Sequence, residues 1–177
     1  MRSLPVGAVA AAIVMFALGF VFFGLLGMMM FTPLDPATAN ALQSALGQHL
    51  SATGSYMVPA DEAAWMAGPS AVINFVAAGD ANSMPMAMGM GFLHFLVSAF
   101  LLGLALKVAG GDAQRRMSVA LWYGLAAAVF MHLDDPIWYG FGWRTTLIEF
   151  AFDAIMFIAG GLVLAKWFTG SDAAPSA

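Results

Sequence analysis

The sequence predicts an all-α membrane protein, a four-transmembrane-helix bundle with a small periplasmic α+β cap between helices 1 and 2, and three observations carry that prediction. The 177 residues are 62% hydrophobic and only 9% charged, with a mean hydropathy of +0.85, where a soluble domain carries roughly 25% charged residues. Four apolar runs, 4–31, 86–108, 117–133 and 145–168, are long enough to cross a bilayer core. Arg2, Lys107, Arg115, Arg116 and Lys166 fall at one end of those runs, and Arg144 alone at the other. The positive-inside rule then places both termini in the cytoplasm of a bacterial inner-membrane protein. The chain reads as one membrane domain, 1–177, with the cap, 32–85, inserted on the periplasmic side.

The first run, Leu4 to Phe31, is about 28 residues long and can span with some tilt. It follows Arg2 as a signal peptide would, but its apolar stretch is too long and it ends in Met28, Met29, Met30 and Phe31 instead of a small-residue cleavage site, so it reads as an uncleaved anchor. In the cap, Asp35-Pro36 supplies an N-cap acid and a proline for the first turn of a helix with Ala41, Leu42, Ala45, Leu46 and Leu50 at helical spacing. GSYMVP and AVINFVA, rich in aromatic and branched residues, flank a short turn of helix and can pair as two strands. His49 reads as a solvent-facing charge near the end of the cap helix.

The second run carries Gly89, Gly91 and Gly103, small residues that let helices approach closely in lipid, and His94 about a third of the way in. GGDAQRR is a polar turn, and the third run closes at His132 because Asp134-Asp135-Pro136 reads as a helix stop. Trp138, Tyr139, Phe141 and Trp143, beside Arg144, form an interfacial loop of the kind found at headgroup level. The fourth run leads into a Ser/Ala/Pro tail expected to be disordered.

The order of these features resembles a family of small four-span bacterial inner-membrane proteins without an assigned activity. The shared motifs are a Gly-rich first span, a Gly-x-Tyr-x-x-Pro cap element (Gly54, Tyr56, Pro59), and a last hairpin with Trp138 to Phe141, Trp143-Arg144 and Asp153. The resemblance implies the topology and carries no reaction or ligand. Glu149 and the methionines have no place in that pattern.

Chemistry is confined to few residues. Glu149 and Asp153 share a helix face, roughly 7 and 13 Å inward from the loop at 1.5 Å per residue. A charge at that depth costs about 2.5–3.5 kcal/mol on insertion scales, so the acids should face protein or water and be protonated or paired. His94 is expected at the depth of Asp153 and His132 at that of Glu149. The four polar residues form either a proton relay, ion or quinone contact, or polar glue between helices. Met28 and Met30 close the first span, Met86, Met88 and Met90 open the second, and Met131 stands beside His132. Thioether sulfur near histidine suits Cu(I), whereas flexible apolar filling is methionine's ordinary use.

With no cysteine there is no disulfide, thiolate metal site or c-type haem attachment. Six Lys and Arg against ten Asp and Glu leave no basic patch for nucleic acid. No hydrolase triad order, P-loop or dinucleotide fingerprint appears. The expectation is a non-catalytic accessory or interaction subunit of a larger inner-membrane complex, contacting lipid and other integral membrane subunits and needing no cofactor. A periplasm-facing copper or metal-binding membrane protein is the first alternative. The second is a small membrane enzyme or proton carrier using His94, Glu149 and Asp153. Orientation is tested by fusion: alkaline phosphatase joined after Ala77 should be active and after Ala113 inactive, and the reverse pattern would overturn the topology.

Overall fold

A computed structural model describes residues 3–168. Arg2 and the Ser/Ala/Pro tail lie outside the described residues. The chain divides into two compact units, Thr32–Met86 and a second unit made of the flanking segments. Four helical stretches, Leu4–Leu25, Met84–Ala109, Ala113–Trp138 and Trp143–Lys166, are long and apolar enough to cross a membrane.

Helix α1 (Leu4–Gly19) has no polar side chain and starts with proline in its first turn, where the missing N–H costs no hydrogen bond. Its buried residues, Gly7, Ala8, Ala11, Ala12, Met15 and Gly19, form a stripe at helical spacing. The helix widens into a π turn over Phe20–Leu25 and breaks at Leu26 before a 3-10 turn, Gly27–Met29. The regular span thus ends short of Phe31, because Gly24 and Gly27 weaken the last turns. The widened turn sets Phe22 stacked on Phe152 at 4.5 Å and Phe23 edge-on to the same ring at 5.8 Å.

The unit 32–86 holds α2 (Pro36–His49), β1 (Gly54–Val58), α3 (Glu62–Ala67) and β2 (Ala71–Phe75). Asp35 caps α2, accepting from the Thr38 amide at 3.0 Å and the Thr38 hydroxyl at 2.6 Å. Those bonds, the hydroxyl first, hold the Asp35 carboxyl below its ordinary value. The cap's contribution is therefore present above the unfolded carboxyl pKa and is lost as pH falls through the lowered one. The strands pair antiparallel from Gly54 opposite Phe75 to Val58 opposite Ala71. Ser55 Oγ donates to Asn74 Oδ1 across the pair at 2.7 Å, and Thr53 Oγ1 both donates to Asp80 Oδ2 at 2.5 Å and accepts from the Ala77 amide at 2.9 Å. No residue of the unit is buried.

In the other unit, α4 (Met84–Ala109) turns into α5 (Ala113–His132) through Gly110 and Gly111, whose φ angles of 61° and 80° suit glycine. Asp112 Oδ1 accepts from the Arg115 amide at 2.8 Å and starts α5 there. Gln114, Arg115 and Arg116, expected in a polar turn, are therefore helical. Arg116 is only 1% exposed. As Asp134-Asp135-Pro136 led one to expect, α5 ends at His132; Leu133 and Asp134 form a turn, after which a single further turn of helix, α6 (Asp135–Trp138), with Pro136 at its start, carries the stretch on to Trp138. Helix α7 (Trp143–Val163) returns antiparallel and ends in a π turn, Leu164–Phe168.

Small residues set the packing. The buried positions of α5 are Arg116, Ala120, Gly124 and Ala128, one turn apart on one stripe. Across it a Cβ on Gly161 would lie 2.6 Å from the Ala120 Cβ, and one on Gly124 would lie 3.0 Å from Ile158 Cγ1. On the other side of α7 a Cβ on Gly160 would meet Met15 Sδ at 2.6 Å. Replacing Gly161 by Ala should thus push α5 and α7 apart and cost about 1–3 kcal/mol. Gly89→Ala, where nothing lies within 4 Å of the new Cβ, should be neutral or stabilising by up to about 1 kcal/mol. Unfolding of both variants in lipid-detergent mixtures checks the pair.

Candidate functional site

The stripe that packs α5 against α7 runs Arg116, Ala120, Gly124, Ala128 and, one turn further, His132. The antiparallel register that sets Ala120 against Gly161 and Gly124 against Ile158 brings His132 to Asp153. His132 Nε2 lies 2.7 Å from Asp153 Oδ2, both side chains largely buried. With Nε2 protonated the ring donates and the carboxylate accepts, at a length typical of a charge-assisted bond. His132 was expected level with Glu149 because the third span was expected to close there. Since a turn at Leu133 and Asp134 and then α6 carry the stretch on to Trp138, His132 sits inside it and meets the deeper acid.

Glu149 is one turn before Asp153 on α7, half-buried, and makes no side-chain hydrogen bond among the described residues. His94 is on α4, its ring 5.2 Å from that of Phe95, and it does not bond Asp153. Instead the two line a common cavity of about 490 Å³ walled by all four long helices. Met15 comes from α1, Phe95 and Ser98 from α4, Tyr123 and residues 126–128 from α5, and Met156 and Phe157 from α7. Most of the wall is apolar; its polar side chains are His94, Ser98, Tyr123 and Asp153. Phe130, on the rim, is 85% exposed.

The methionines differ in exposure. Met28 is 82% exposed and Met30 only 6%. The carbonyl of Met30 accepts from Thr145 Oγ1 at 2.7 Å, tying the end of the first span to the start of α7. Met86, Met88 and Met90 are exposed on the first turns of α4, and Met131 lines the cavity with His94. Among the described residues no three His, Asp or Glu side chains are placed to hold a metal ion. Trp138, Tyr139 and Trp143 are exposed around the turn, with Arg144, and Tyr139 packs on Phe141 at 6.3 Å. Ser98 and Tyr123 were missed as site residues. The one signal for them is spacing: Ser98 is one turn after His94, and Tyr123 adjoins the Gly124 stripe.

The pair gives a double-mutant test. His132→Leu leaves Asp153 without its donor and should cost roughly 1–3 kcal/mol, and His132→Leu with Asp153→Leu should recover much of that loss. Strict additivity in unfolding measurements would mean that the two side chains do not interact. No protein-family model, curated protein or solved structure matches the chain.

Proposed function

We propose that the chain is a non-catalytic interaction subunit of a larger assembly in the bacterial inner membrane, with unit 32–86 as its periplasmic docking element. The observation behind this reading is that the unit has two capped helices and a paired hairpin but not one buried residue. Ordering a backbone costs about 1–2 kcal/mol per residue, and an isolated two-stranded hairpin is marginal in water. Burial that would offset that cost has to come from outside the unit's own core.

The apolar side chains are available for it. The α2 stripe Ala41, Leu42 and Ala45 is exposed, with Leu42 at 50%, and Met66 of α3 is exposed at 81%. A protein partner suits this surface better than a bilayer surface does. The unit has Asp35, Asp61, Glu62 and Asp80 and no Lys or Arg, whereas helices that lie on membranes rely on basic residues to meet anionic headgroups. Within the bundle, the orientation that puts the basic residues in the cytoplasm leaves this acidic unit on the far side.

A photo-crosslinking residue at Leu42 tests the reading. It should give a covalent adduct with one other membrane-complex polypeptide, the same one that co-purifies in mild detergent, and Leu46→Asp should abolish both. Adducts with lipid alone, or with a second copy of the chain, would contradict it.

A further inference from the structure

We infer that the cavity between the four helices binds the head group of a neutral, lipid-soluble quinone or quinol. This inference stands apart from the docking role of unit 32–86 and rests on the cavity alone.

Size comes first. A volume of about 490 Å³ falls within the roughly 300–1,000 Å³ of small-molecule sites, enough for a substituted ring and the start of its tail. The lining suits a ring: Phe95 and Phe157 supply aromatic side chains from α4 and α7, and Ala127 a small one from α5.

Polarity narrows the class. Asp153 Oδ2 is engaged by His132, and the carboxylate keeps Oδ1 to accept from a hydroxyl. His94, Ser98 and Tyr123 offer donors to a carbonyl oxygen. A ring bearing carbonyl or hydroxyl oxygens uses both kinds of group. A carboxylate or phosphate head would find no Lys or Arg among the lining residues to pair with. Access agrees: the lining residues Tyr123 and Phe130 are exposed on a helical stretch long and apolar enough to cross a bilayer, so a molecule dissolved in that bilayer would reach the cavity sideways. The inference concerns binding and assigns no electron transfer.

The test uses the full chain in phosphatidylcholine nanodiscs, with quenching of tryptophan fluorescence by a decyl-chain benzoquinone as the readout. Quenching should saturate at one quinone per chain. Ala127→Leu, which fills the cavity without touching the polar groups, should weaken binding at least about tenfold, as should Asp153→Asn, the scale of one lost hydrogen bond to a charged group. Variants are compared at equal thermal stability, and Ser98→Ala replaces Asp153→Asn if the latter fails to fold. Decanol and decylamine should not compete. Quenching that does not saturate, that survives Ala127→Leu, or that decanol or decylamine displaces would overturn the inference.

Discussion

Inside a hydrocarbon layer a polar side chain is costly unless it finds a partner within the protein, because bulk water is not there to supply one. The bond between His132 and Asp153, 2.7 Å long, meets that demand between the two helices that pack most closely. It also fixes their register. Sliding α7 by one turn would part the two groups and set Phe157 or Ala165 against Ala120 in place of Gly161. Thr145 does the same at the end of α7, its hydroxyl donating to the Met30 carbonyl that the broken last turn of the first span leaves without a helical partner.

Close packing on one side leaves room on the other. Gly124, Gly160 and Gly161 draw α1, α5 and α7 together, whereas α4 buries Ala99, Leu102, Gly103 and Leu106 only in its second half. Toward its first half α4 presents His94 and Phe95 to the gap, which becomes the cavity. The polar pair and the cavity are thus one consequence of where small residues stand. Leucine at 124 on α5 and at 161 on α7 would have held the two helices apart and kept His132 from Asp153.

The four spans were legible because apolar length is a direct physical requirement of crossing a bilayer. The capped helix at Asp35 and the paired strands were legible from local chemistry, a side-chain acceptor before proline and branched runs around turn residues. Less legible were the ends. Asp134-Asp135-Pro136 was expected to stop a helix and α5 does end at His132, but proline in a first turn forgoes no hydrogen bond, so one more helical turn, α6, follows and carries the apolar stretch past His132. The pairing of His132 with Asp153 followed from the Ala120, Gly124, Ala128 spacing, which was present in the sequence but had not been extended to the next turn. The burial of Arg116 belongs to the same stripe. Ser98 and Tyr123 could not be placed, because which face of α4 meets the gap depends on tertiary packing and not on any local pattern.

The claim on which the rest stands is that His132, and not His94, holds Asp153 in the lipid-embedded chain. Solid-state NMR in bilayers measures it directly, as the dipolar coupling between the Asp153 side-chain carboxyl carbon and the histidine ring nitrogens. The account predicts a coupling to His132 Nε2 corresponding to about 4 Å or less, as a hydrogen bond requires. A carboxyl carbon coupled to a His94 nitrogen, or to neither ring, would contradict it.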